Sequence, residues 1–232
     1  MSAIFGLGVG PGDPELVTLK ALRILRAAPV VAYPAPEGGA SFARAIVARW
    51  LSPAQVELPI AMPIEAARFP ARAIFDRAAD AIGAHVAAGR DVAVLCQGDP
   101  FFYGSFMYLF GRLAGAHRVE IVPGVSSLAA AASAAGWPLA ARNDVLTVLP
   151  APLDDEELKR RLAGCDAAAI IKLGRHFARL RRLLEEAGLA DKARYVERAS
   201  LGNERVLRLD EVSGEAPYFS MILVHRRGEA WR

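Results

Sequence analysis

Three turns hold most of the residues of this chain whose types and spacing could do chemistry. The first, GLGVGPGDPEL, carries Gly6, Gly8, Gly10 and Gly12 with Pro11 and Asp13 between an apolar run and a leucine-rich one. Glycine accepts positive φ and allows a ligand or another backbone to come close. A dinucleotide would ask for G-x-G-x-x-G. Counted from Gly6 the last position is Pro11, and counted from Gly8 it is Asp13, so both registers fail. Pro34 stands near the place where that cofactor's ribose would need an acid. Asp13 and Pro14 suit a helix N-cap and first helical residue. Four glycines and a proline within seven residues exceed what a cap needs, and they point to close backbone approach to a ligand.

The second turn, CQGDPFFYGSF, follows an apolar run and opens a helical pattern. Gly98-Asp99-Pro100 is then a strand-to-helix turn at the carboxyl end of a buried parallel strand, where α/β proteins place ligands. Asp99 also suits an N-cap. The third turn, VPGVSSLAAAASAAG, leads from a strand into an alanine-rich helix that Ser126 and Ser127 could cap. No Ser–His or Cys–His nucleophilic pair is evident. His85, His117, His176 and His225, with Cys96 and Cys165, lack the spacing of zinc ligands, and no metal site is expected. Both cysteines lie in strand-like apolar runs and read as buried, reduced thiols.

These turns need a frame. Residues 3–8, 30–33, 55–58 and 92–96 read as strands, and residues 15–26, 41–51, 65–88 and 102–113 as helices, with Leu16, Leu19, Leu22 and Leu25 on one face of the first helix. Strictly alternating strands and helices argue for a largely parallel sheet covered on both faces. A second run follows, with strands at 118–122, 145–149 and 167–172 and helices at 125–135, 158–163 and 176–184. The closing strands 194–197, 206–209 and 220–225 are separated by short polar turns and read as antiparallel. The expected fold class is α/β in two α/β domains, residues 1–116 and 117–232.

A chain of 232 residues, 53% hydrophobic and 23% charged, can bury a sizeable core. No apolar run is long enough to span a membrane, and the N-terminus does not read as a secretory signal; a cytoplasmic protein is expected. The net charge is only +3, and arginine makes up 24 of the 28 basic residues. No basic stripe interleaved with aromatics favours nucleic acid.

Taken in order, residues 8–13, 97–104, 123–127, 172–174 and the last strand resemble the motifs of the tetrapyrrole methyltransferases, the class that builds cobalamin and sirohaem and includes diphthine synthase. Their opening G-x-G-P-G-D matches Gly8 to Asp13 residue for residue. The resemblance implies S-adenosylmethionine in a cleft between the two domains, a tetrapyrrole acceptor and a homodimer. It assigns cofactor contact to Pro11, Gln97, Gly98, Asp99, Phe102, Tyr103, Ser126, Ser127, Leu173, Ser220 and Met221. Gln97 departs from the acid that similar members carry, which removes any ionic role there. Gly10, Gly12 and Asp13 fall on the substrate side. Arg44 and Arg142 are candidates to grip the substrate's carboxylates, and Asp99 and Tyr103 are candidates to accept the lost proton. Members acting on uroporphyrinogen end the second strand with an acid and an arginine, where this chain has Pro34. Three segments, residues 12–34, 98–110 and 218–227, resemble instead the members that methylate C-20 of precorrin-2 or its cobalt form. The alternatives are another position on a corrin precursor, or a protein or RNA acceptor.

Overall fold

Alternating apolar and amphipathic runs fold into two sheets. The structure, a computed structural model, describes residues 2–62 and 72–227. The chain divides into two units, Met1–Ser126 and Ser127–Arg232. This division lies beyond the boundary expected at residue 116, because the strand at Val119–Val122 pairs with the first strand of the chain.

The first unit runs β1 (Ile4–Gly8), α1 (Leu19–Ala27), β2 (Val30–Pro36), α2 (Phe42–Val47), β3 (Val56–Met62), α3 (Arg72–Ala87), β4 (Val92–Cys96), α4 (Phe106–Leu113) and β5 (Val119–Val122). Its strands are ordered β3-β2-β4-β1-β5, and every described pairing is parallel. Side chains alternate across a strand. Val31, Tyr33, Ala93 and Leu95 therefore pack with α1 and α2, while Val30, Ala32, Val92 and Val94 pack with α3 and α4. The chain leaves β1 towards β2 and leaves β4 towards β5, in opposite directions along the sheet. Right-handed crossovers then require helices on opposite faces, as these two clusters have them.

Two helices start later than the pattern suggested. Residues 14–16 form a 3-10 turn in which Asp13 accepts the Glu15 N–H at 2.8 Å. A second cap, Thr18 to the Ala21 N–H at 3.2 Å, then opens α1. The new phase buries Ala21, Ile24, Leu25 and Ala28 and leaves Leu19 86% exposed. Likewise α4 begins at Phe106, because Tyr103 sits at φ 55 and cannot continue a right-handed helix. The first turns of the helix expected from Glu65 lie outside the described residues.

The second unit contains α5 (Ser127–Ala135), β6 (Leu146–Pro150), α6 (Asp155–Ala163), β7 (Ala167–Ile171), α7 (Phe177–Glu186), β8 (Ala193–Glu197), β9 (Arg205–Leu207) and β10 (Ser220–His225). The order is β6-β7-β10-β8-β9. Only β6 and β7 are parallel; β10 runs antiparallel to both β7 and β8, and β9 antiparallel to β8. The polar turns of the closing segment thus produced the antiparallel strands expected of them. Leu128 and Ala131 of α5 cover Ile171, Val196 and Met221, and α6 and α7 cover Ile170, Tyr195 and Ile222 on the other face.

Candidate functional site

The carboxyl ends of the neighbouring strands β1 and β4 are the point where the first sheet's connections diverge. In open α/β sheets such a point is where a crevice opens for a ligand. Both glycine-rich turns start there. β1 and β4 run parallel as far as Gly8 and Cys96, and the Val9 N–H still bonds the Cys96 carbonyl at 2.9 Å. The two chains then face each other: the Gly98 N–H donates to the Gly10 carbonyl at 2.7 Å and the Gly10 N–H to the Gly98 carbonyl at 3.4 Å. Gly10 and Gly98 both need left-handed backbone for this, with φ of 80 and 66. The β5–α5 turn closes the junction. A Cβ on Gly124 would lie 2.1 Å from the Gly98 carbonyl oxygen, and one on Gly8 would lie 2.4 Å from the Gly124 nitrogen. Three turns are packed backbone to backbone.

Asp99 ties them together. Its Oδ1 accepts the Phe101 N–H at 2.9 Å, and its Oδ2 accepts the Gly124 N–H at 3.1 Å. The carboxylate therefore fixes the β4–α4 turn against the β5–α5 turn. Next to it Phe101, Phe102, Tyr103 and Met107 are exposed, with the Phe102 and Tyr103 rings edge to face at 5.1 Å. Gly10, Pro11 and Gly12 are buried beneath the junction, while Gln97 and Ser126 are half-buried on it. Of the sequence candidates, the structure brings together Gly10, Pro11, Gln97, Gly98 and Asp99. Phe102 and Tyr103 follow on the turn that Asp99 holds. Asp13 sits on the adjoining 3-10 turn as its cap.

In the second unit the carboxyl ends of β7 and β8 and the start of β10 share one end of the sheet. Leu173, Ser220 and Met221 all lie there. Leu173 is fully buried between Lys172 and Gly174, which have φ of 60 and 41. The Ser220 hydroxyl donates to the Pro217 carbonyl at 2.6 Å, and Met221 pairs with Ile171. Ser127 opens α5, which lies over the face carrying Met221. Arg198 and Ser200, at the end of β8, also take left-handed backbone, with φ of 52 and 69.

Arg44 is not brought to the first junction. It pairs side by side with Glu57 near the start of β3, Nη2 to Oε1 at 2.7 Å, and the Tyr33 hydroxyl donates to the same carboxylate at 2.6 Å. The Arg44 guanidinium, with the Tyr33 phenol after it, holds the Glu57 carboxyl at about 2. Arg142 lies exposed in the loop before β6 at φ 51. Cys96 and Cys165 are free and buried, and burial pushes both thiols up, away from the reactive thiolate. Among the described residues no group of three His, Cys, Asp or Glu side chains could hold a metal ion.

Residues 3–212 match the profile of the Tetrapyrrole (Corrin/Porphyrin) Methylases. The chain belongs to this family. A relative from Sinorhizobium sp named precorrin-2 C(20)-methyltransferase is 44% identical over 230 residues, covering 95% of this chain and 94% of that one. Cobalt-precorrin-2 C(20)-methyltransferase of Salmonella typhimurium is 34% identical, covering 97% of each chain. Among solved structures, uroporphyrin-III C-methyl transferase from Thermus thermophilus complexed with S-adenosyl homocysteine has a TM-score of 0.69 at 26% identity, covering 97% of each. Sequence reasoning on this tetrapyrrole methylase missed Gly124 as the third member of the glycine junction, although its proline–glycine turn was visible. A glycine two residues past the ends of β1, β4 and β5 would have been the signal.

Proposed function

We propose that this methylase transfers a methyl group from S-adenosylmethionine to C-20 of precorrin-2 in cobalamin biosynthesis. The 44% identity, over 95% of the chain, to a relative named for that reaction carries the reading. The lower identity, 34%, to the relative named for the cobalt form favours the metal-free ring.

The residues at the strand ends suit such a cofactor. It supplies a methyl group activated by a sulfonium charge, and aromatic faces attract cations; Phe102 and Tyr103 offer two exposed rings beside the junction. A Cβ on Gly98 would find its nearest neighbour only at 4.0 Å, so protein atoms leave space on that side of the turn. In this reading Pro11, Gln97, Gly98, Phe102, Tyr103 and Ser126 are the cofactor contacts of the first unit, and Ser127, Leu173, Ser220 and Met221 are those of the second. Asp99 contributes by fixing the turn. Displacement at a sulfonium needs alignment of the reacting atoms rather than a protein nucleophile, which agrees with two buried thiols held protonated. Of the two proton-acceptor candidates, Tyr103 has an exposed ring, whereas both Asp99 oxygens accept backbone N–H groups. Gly10, Gly12 and Asp13 stand on the substrate side. Of the two arginine candidates, Arg142 is exposed, and Arg44 is occupied by Glu57. The reading includes a cytoplasmic homodimer, the compartment supported by the two free thiols.

The test is incubation with labelled S-adenosylmethionine and precorrin-2 or its cobalt form, followed by mass spectrometry. A gain of one methyl located at C-20 is expected. Binding of both ligands without turnover overturns the reading. Light scattering on the purified chain reads the dimer separately.

A further inference from the structure

A buried carboxylate organises the ligand-facing end of the second sheet. Glu197, the last residue of β8, is 4% exposed. Its Oε2 accepts the Tyr195 hydroxyl at 2.7 Å, while its Oε1 takes Nη1 of Arg198 at 3.0 Å and Nη1 of Arg205 at 3.4 Å. Two guanidiniums thus share one carboxylate oxygen. Neither arginine has a second carboxylate partner among the described residues. Glu204, the other acid of the loop, is used by the Ser200 N–H at 2.6 Å. Each guanidinium has five donors and spends one on Glu197, so both forks keep free N–H groups towards solvent.

The backbone is shaped to hold this arrangement. Arg198 sits at φ 52, a conformation that costs on the order of 1 kcal/mol for a residue with a Cβ. Its N–H is bonded to the Phe219 carbonyl at 2.7 Å, immediately before β10. Strained backbone that the surrounding fold enforces concentrates at functional sites. The location agrees: Ser220, a residue assigned to the cofactor, lies directly across the ladder from Glu197.

We propose that Arg198 and Arg205, gathered by Glu197, form a carboxylate-binding pair that receives acidic side chains of the tetrapyrrole; this rests on the function proposed above. Glu197 and Tyr195 are positioning residues. Carboxylate is the chemistry recognised, and the amino-acid end of the cofactor also carries one. That end bears an ammonium beside it and the molecule a sulfonium, which two arginines repel. A ring with several carboxylates has no such penalty and can satisfy both forks.

The test measures binding of uroporphyrin, a stable octacarboxylate tetrapyrrole, and separately of S-adenosylhomocysteine, by the full chain and its variants. Arg198→Ala and Arg205→Ala are each expected to weaken uroporphyrin about tenfold, and together about a hundredfold. S-adenosylhomocysteine should bind as before, and Arg198→Lys, which keeps the charge and loses the fork, should fall between. In turnover the KM for precorrin-2 should rise with kcat little changed. Should the alanine variants fail to fold, the double lysine variant still reads the fork, with a loss of about threefold to tenfold expected. Unchanged uroporphyrin binding in the double variant overturns the proposal, and so does a loss confined to S-adenosylhomocysteine. Turnover by the unmodified protein is followed in the same preparation. Its absence would sink the proposed function and leave the arginine pair to be judged on uroporphyrin binding alone.

Discussion

The two sheet ends reach left-handed or crowded backbone by opposite means. In the first unit Gly8, Gly98 and Gly124 meet backbone to backbone, and a Cβ at Gly8 or Gly124 would lie under 2.5 Å from main-chain atoms. In the second unit Lys172, Arg198 and Ser200 keep their side chains at φ of 60, 52 and 69. Where the obstacle is a neighbouring main chain, no side chain can be accommodated and only glycine serves. Where the obstacle is a residue's own Cβ against its own carbonyl, the fold can absorb a penalty on the order of 1–2 kcal/mol and retain the side chain. The first arrangement makes a tight floor; the second presents cations. The units also differ in their arginine–carboxylate groups. Arg44 and Glu57 form a fork-to-carboxylate pair on the surface, whereas Glu197 is buried and shared by two arginines.

The sharpest way to break this contrast is Gly124→Ala. With the Gly98 oxygen 2.1 Å from the new methyl, we expect a loss of about 3 kcal/mol or more, or failure to fold. Thermal denaturation with S-adenosylhomocysteine binding checks it, and an unchanged Tm would refute the backbone-contact account. Next comes Asp99→Ala, which strips the acceptor from the Phe101 and Gly124 N–H groups. The expected cost is about 1–3 kcal/mol. Asp99→Asn keeps one oxygen and should cost less, and denaturant midpoints of the two variants compare them.

A gain is expected where the strain is a residue's own. Arg142 lies exposed at φ 51, and Arg142→Gly should stabilise the fold by up to about 1 kcal/mol, net of the extra freedom glycine has when unfolded. A raised Tm with a raised KM for the tetrapyrrole would separate strain from substrate contact at this position; a lowered Tm would show that the side chain matters to the fold.

The smallest effect concerns the surface pair. Arg44 first, then Tyr33, hold the Glu57 carboxyl at about 2, below its ordinary 4.5. A lowered folded-state value stabilises the fold above pH 4.5, and the contribution is lost as pH falls from 4.5 towards 2. Glu57 is a third exposed, so solvent screening limits the pair to about 1 kcal/mol or less. Glu57→Gln should therefore lower Tm slightly at pH 7, with the gap to the unmodified protein narrowing towards pH 3. A gap that widened on acidification would reverse the assignment.

Much of the frame was legible. Strand–helix alternation implied the parallel first sheet, and the polar turns after residue 193 implied the antiparallel strands that follow. Periodicity failed at Leu19, because a local cap at Thr18 reset the helical phase. It failed at Phe102, because a left-handed Tyr103 stopped the helix before it started. Arg44 was chosen by chain position, and the structure shows it tied to Glu57 from the neighbouring strand, a partner that sequence distance conceals.

By itself the sequence determined where the close approaches fall, since Gly8 and Gly124 are required by contacts that no other residue type tolerates, and Gly98 suits the left-handed backbone at φ 66. It also determined the family, through ordered motifs that span the chain. Only the tertiary structure decided that Asp99 clamps two turns and that Glu197 gathers two arginines, because an acid's type does not reveal which N–H or guanidinium the fold will bring to it. Positive φ at Lys172, Arg198 and Ser200 was likewise set by the surrounding fold, for such strain leaves no mark in residue type when the side chain is kept.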